Sequence, residues 1–190
     1  MNRELKTAVA PTKEAMRAVA LFLVFGLFID VHGANLQDLI DALNTTKTIW
    51  LYNQSYQASP EAPNRTCVRW HFENLTSSSY LFENYYRQDG LYHSEERTHA
   101  TLSGPNNKPT MNVNYTSEGK NSTYVLYTLQ AWYPKEECFV LTRGTDKDKL
   151  QCELHLWSSQ IDKKHDSCEE KYRDLCREPG PEVFTKHDCM

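Results

Sequence analysis

The chain predicts an all-β fold: an eight-stranded antiparallel barrel with a short N-terminal helix and a C-terminal helix, stapled by disulfides. Three observations carry this. Between Thr48 and Ser158, aromatic and β-branched residues alternate with polar ones along segments that polar, Pro or Gly punctuation divides into eight. The connections are of hairpin length, and only complete closure of such a set leaves no exposed strand edge. Six cysteines, Cys67, Cys138, Cys152, Cys168, Cys176 and Cys189, follow an apolar N-terminal stretch, the pattern of an oxidising compartment in which cysteines pair.

The N-terminal stretch reads as a secretory signal peptide over residues 1–33. Arg3, Lys6, Lys13 and Arg17 precede an apolar run from Ala18 to Ile29, and Val31 and Gly33 have small-residue cleavage spacing. A helix of that run spans only about 18 Å against a hydrocarbon core of roughly 30 Å, so cleavage is expected rather than anchoring. Residues 34–190 then form one domain, expected to be a secreted monomer. Six Asn-X-Ser/Thr sequons, at Asn44, Asn53, Asn64, Asn74, Asn114 and Asn121, fit the same compartment and are expected to be glycosylated. The net charge of −4 becomes −5 once the four basic and three acidic leader side chains are removed, which argues against a nucleic-acid surface.

Leu36, Leu39, Ile40 and Leu43 have helical spacing, with Asn35 as N-cap and Asn44-Thr45-Thr46 as a stop. Strands are expected at 48–57, 67–74, 79–87, 91–102, 110–116, 122–133, 137–143 and 150–158. The stretch from Asp166 to Cys176 opens on acidic and capping residues and reads as a helix, ended by Pro179-Gly180-Pro181.

Catalytic signatures are absent: there is no Gly-X-Ser-X-Gly elbow, no His-Glu-X-X-His and no phosphate-cradling glycine loop. No enzyme activity, cofactor or metal site is expected, since none of the seven histidines has ligand spacing with a cysteine. An eight-stranded barrel does have room for one small ligand. Alternation puts Trp50, Tyr52, Gln54 and Tyr56 on one face of the first strand, taken as inner because Asn53 lies on the other. Val68, Trp70 and Phe72 share the inner face of the second, and Tyr127 is a further aromatic on the sixth. Such rings either fill a core or box a small cation, and a box needs acids nearby. The acids within reach are Glu83 beside Tyr85, Glu95 or Glu96, and Glu153 beside His155.

These features together resemble the tick salivary histamine-binding lipocalins over the whole mature chain. The specific pieces are Tyr56 in Gln54-Ser55-Tyr56, Thr66-Cys67-Val68, Cys138-Phe139-Val140 with Gly144-Thr145-Asp146, Glu153-Leu154-His155-Leu156-Trp157, and Glu182-Val183-Phe184 before Cys189. The resemblance implies the pairs Cys67–Cys189 and Cys138–Cys168, with Cys152–Cys176 remaining. It also implies capture of histamine, serotonin, leukotrienes or fatty acids inside the barrel, without turnover. The expected ligand-binding residues are Trp50, Tyr52, Tyr56, Trp70, Glu95, Tyr127, Glu153 and His155.

The chain departs from the histamine signature in ways that bear on the ligand. Phe139 stands where an acid follows the seventh-strand cysteine; Ser59, Ala62 and Leu129 stand near two other acids and a tryptophan; His155 or Glu153 takes the last acid's place. Histamine or a related amine is the first expectation. A lipid mediator is the alternative, which an inward Arg97 or His155 would support. A host-protein decoy with the barrel as scaffold is the third.

Overall fold

Asn35 opens the first helix, α1 (Leu36–Leu43), through a reciprocal cap. Its side chain accepts from the backbone N–H groups of Gln37 and Asp38 at 2.8 and 3.2 Å, and the Asp38 carboxylate accepts from the Asn35 N–H at 2.8 Å. The computed structural model describes residues 33–57, 64–115, 122–144, 150–177 and 180–190. The leader through residue 32, Ser59, Ala62, Asn121, Thr145, Asp146 and Pro179 lie outside the described residues.

Eight strands follow: β1 (Ile49–Gln54), β2 (Thr66–Leu75), β3 (Ser79–Gln88), β4 (Leu91–Ser103), β5 (Thr110–Tyr115), β6 (Thr123–Tyr133), β7 (Cys138–Arg143) and β8 (Gln151–Trp157). Each pairs antiparallel with the next, and β1 pairs with β8, so the sheet closes into the expected barrel. Asp89-Gly90 turns β3 into β4 with φ of +52° and +80°, the left-handed pair that a two-residue hairpin needs. The apolar face of α1 plugs one end. Leu39 and Leu43 are fully buried there against Ile49, Leu102, Met111 and Leu129, and the Trp157 indole N–H donates to the Ala42 carbonyl at 3.0 Å.

Irregularities in the ladders decide which side chains enter the barrel. In β4 the extra residue sits at Arg97, φ +55°, and lets Glu95 and Thr98, three apart, both point inward. In β1 a register shift between Leu51 and Asn53 turns Leu51 and Gln54 inward and leaves Tyr52 and Asn53 together outside. This corrects the expected orientation of Trp50 and Tyr52. Both lie on the outer wall, where Trp50 meets Phe184 at 5.2 Å between ring centroids and Tyr52 meets Phe184 at 5.5 Å and His165 at 5.0 Å. Simple alternation failed because the C-terminal segment buries that outer face, giving two apolar faces to a strand expected to have one.

The C-terminal part is strapped to the outside. The helix α2 (Asp166–Leu175) lies against β6, β7 and β8, held by Cys138–Cys168 and Cys152–Cys176. Glu136 caps it, accepting from the Ser167 N–H at 3.0 Å. Glu136, Cys138 and Cys168 come together as a metal site would, but the two cysteines are bonded to each other. The tail returns to β2, where the Cys67 N–H donates to the Val183 carbonyl at 2.8 Å. It ends in a four-residue helix, α3 (Lys186–Cys189), which the sequence did not predict. Cys67–Cys189 closes the chain, so the two pairs the resemblance implies are both present and Cys152–Cys176 is the remaining one. No helix among the described residues is long and apolar enough to cross a membrane.

Candidate ligand site in the barrel interior

The barrel interior is apolar at the α1 end and polar toward the other. Glu153 centres the polar part. Its neighbours Cys152 and Leu154 are committed to the outer layer under α2, so the pleat turns Glu153 and His155 inward, where they are 3% and 1% exposed. Tyr56 Oη donates to one carboxylate oxygen at 2.5 Å, and His155 Nε2 lies 3.0 Å from the other. The His155 imidazole is sandwiched, parallel to Phe139 at 5.0 Å and tilted against Trp70 at 4.5 Å.

Arg143 enters on the same face as Phe139 and Leu141, which precede it by four and two residues on β7. Its guanidinium stacks over the Tyr56 ring at 3.8 Å from the centroid, and its Nε donates to Gln151 at 2.7 Å. The Tyr115 and Tyr127 hydroxyls, 3.5 Å apart, complete the polar wall. A second pole forms around Glu95, which accepts from Asn84 Nδ2 at 2.9 Å and from Arg65 at 3.2 Å, with Arg65 stacked on Tyr86 at 3.7 Å.

Burial acts to raise the Glu153 pKa, but the hydrogen bond and charge of His155, the Arg143 charge and the Tyr56 hydrogen bond outweigh it and hold the carboxyl below its ordinary 4.5. Burial acts to lower Arg143, and the Tyr56 and Glu153 oxygens more than offset this. Tyr56, Tyr115 and Tyr127 are pushed far up, first by burial and then by the Glu153 charge, so all three remain neutral donors. Trp70 Nε1, Tyr80 Oη and His155 Nδ1 are buried in this interior without a hydrogen-bond partner among the described residues. Buried polar groups seldom stay unpaired, so these three are positions that a ligand's polar atoms can satisfy.

A depressed carboxyl pKa stabilises the fold above its unfolded value and loses that contribution as pH falls through the folded value. Stability of the wild type should therefore decline with acid from about pH 4.5 downward. Glu153→Gln should cost roughly 1.5–3 kcal/mol near neutrality, because the buried Tyr56 and His155 contacts lose their charged acceptor and Arg143 loses a nearby negative charge. It should also flatten the acid slope in urea titrations at a series of pH values. An unchanged slope would remove Glu153 from this role.

Of the residues singled out from sequence, Tyr56, Trp70, Glu95, Tyr127, Glu153 and His155 converge on the interior; Trp50 and Tyr52 do not. Glu83 and Tyr85 bond each other at 2.7 Å on the outer face of β3, while Glu96 and Arg97 are exposed. The sequence reading passed over Arg143, Asn84, Arg65 and Tyr115. Two of these had a signal: Cys138 bonded outward fixes Phe139, Leu141 and Arg143 as inner, and Tyr80, Phe82 and Asn84 are likewise in phase. Arg65 lies before its strand and had none.

The sequence profile of the tick histamine binding protein family matches residues 30–190. The chain belongs to that family. Its member here is a lipocalin by fold as well. Japanin from Rhipicephalus appendiculatus, in a structure bound to cholesterol, shares 17% identity over 77% of this chain and 97% of that one, with a TM-score of 0.54. Lobster apocrustacyanin A1 shares 12% identity over 77% and 86%, with a TM-score of 0.44. Apocrustacyanin C1 shares 12% over 76% and 81%, with a TM-score of 0.46. At these identities the likeness is one of fold. No curated relative matches the chain in sequence.

Proposed function

We propose that this lipocalin is a secreted, monomeric scavenger that holds one small amphipathic host mediator in its barrel, polar head toward Arg143 and Tyr56 and apolar part toward α1. Capture alone does the work, since lowering a free mediator concentration needs affinity and no turnover. The observation that carries the ligand class is that each buried carboxylate already has partners, Glu153 the Tyr56 hydroxyl and His155 Nε2 with the Arg143 charge nearby, and Glu95 the Arg65 guanidinium. An ammonium ligand would compete with these for the same oxygens. A carboxylate or hydroxyl head meets Arg143 and neutral tyrosine donors instead. The inward His155 also fits the lipid alternative, and Japanin's cholesterol is a precedent in this fold for a ligand without a cation.

Histamine or a related amine is the second reading, favoured by two buried carboxylates and by the Trp70 and Phe139 rings. Calorimetric titration of the secreted, oxidised protein with arachidonate and with histamine separates the two. Saturable arachidonate binding that Arg143→Gln weakens about 10- to 100-fold, the loss of one charge-assisted contact of roughly 1.5–3 kcal/mol, supports the acid-headed lipid. Tight histamine binding with no heat from arachidonate overturns it and restores the amine.

A further inference from the structure

The outer wall carries a groove of about 600 Å³ between β1, α2 and the returning tail, lined by Tyr52, Asn53, Tyr172, Arg173, Arg177 and Phe184 among others. That volume lies in the range of small-molecule pockets, about 300–1,000 Å³. Two independent features meet in it. Asn53 is exposed there because the β1 register shift turns it out beside Tyr52, and it heads the sequon Asn53-Gln54-Ser55. Tyr172, only 7% exposed, lines the same groove with its hydroxyl buried and unpaired among the described residues. Burial pushes this phenol up to about 12, so it is a neutral donor at any physiological pH. The lining mixes flat rings, Tyr52 and Phe184, with the charged pair Glu169 and Arg173, linked at 3.1 Å. Rings that cover C–H faces beside charged groups that take hydroxyls and amides are the chemistry of a sugar site.

We infer that Asn53 is N-glycosylated and that the first sugars of its glycan lie in this groove, with a sugar oxygen accepting from the Tyr172 hydroxyl after a local shift uncovers it. In the transfer, Asn53 Nδ2 bonds to C1 of the oligosaccharide of a polyprenyl-diphosphate donor. The C1–O bond to the diphosphate breaks, and the polyprenyl diphosphate leaves with the displaced proton taken up. Transfer precedes folding, because in the fold the sequon is held against β8, the Ser55 N–H donating to the Cys152 carbonyl at 3.0 Å and its hydroxyl accepting from the Cys152 N–H at 2.9 Å. The glycan, covalent to Asn53 alone, then bridges by non-covalent contact from β1 to α2, a helix whose covalent ties are Cys138–Cys168 and Cys152–Cys176.

The inference rests on the secreted reading but not on the interior ligand. The test uses the full chain secreted from a eukaryotic host, with glycopeptide mapping at every sequon and timed release by peptide N-glycosidase from the native protein. Asn53 should be occupied, and its glycan released about tenfold more slowly than those on exposed Asn44, Asn64 or Asn74, as one retained hydrogen bond with ring contacts implies. Denaturation should abolish the difference, and Tyr172→Phe should narrow it while circular dichroism and the disulfides stay unchanged. An unmodified Asn53 beside occupied neighbours, or release as fast as theirs, overturns the groove assignment. An absence of glycan at all sites likewise overturns the inference, whereas failure of the chain to reach the medium overturns the secreted reading on which it rests.

Discussion

Replacing His155 by alanine should destabilise the protein by about 2–5 kcal/mol and leave a slot that free imidazole refills. The side chain is flat, 1% exposed, and gripped between Phe139 and Trp70 at 5.0 and 4.5 Å with its Nε2 against Glu153. It is an aromatic ring beside a carboxylate inside an aromatic sandwich, which is the arrangement an imidazole ligand would adopt. The chain thus supplies from its own side chain the ring that a binder of an imidazole ligand would take from solution. Imidazole at about a hundredfold over its dissociation constant should restore roughly 2.7 kcal/mol to His155→Ala. It should leave the wild type unmoved. Histamine should bind the variant more tightly than the wild type, and toluene, which fills the slot without pairing with Glu153, should restore less. Thermal melts with and without each additive decide it, and a variant that none of them stabilises would mean that the slot closes on itself.

This arrangement explains why the sequence disclosed the barrel so much better than the site. Strand and helix bounds follow local pattern: the Asn35 cap, the Asp89-Gly90 turn and the alternation of Tyr80, Phe82 and Asn84 each act within a few residues. The interior depends on parity, and one inserted residue reverses it. The shift between Leu51 and Asn53 turned Asn53 out and Gln54 in, so Trp50 and Tyr52 ended on the face opposite Gln54, and the insertion at Arg97 brought Thr98 in beside Glu95; neither residue pattern announces a bulge. The outer face of β1 is apolar because the tail covers it, a long-range fact carried by Phe184 and Cys189, more than 120 residues from their contacts at the far end of the chain. By contrast, the inner phase of β7 and β8 was fixed by cysteines that the resemblance had already paired. From that pairing Glu153, His155 and Arg143 are all legible as interior residues.

Removing the Cys67–Cys189 bond by the double change Cys67→Ser and Cys189→Ser should give the other large effect, about 5 kcal/mol, since the pair spans 122 residues of chain. Total stabilities are typically 5–15 kcal/mol, so urea denaturation should move from a well-populated native baseline toward marginal stability. The loss should be confined to the outer wall. With the strap released, Val183 and Phe184 lose their anchorage on Cys67 and Trp50, and Trp50 gains exposure that fluorescence reports. The interior contacts of Glu153, His155 and Arg143 involve no part of the tail. Ligand affinity of the folded fraction should accordingly change by less than about threefold, well under the tenfold that 1.4 kcal/mol represents. A parallel collapse of affinity and stability would place Trp50 and the tail in the ligand site after all, and would return the first strand's aromatic face to the role that alternation alone assigned it.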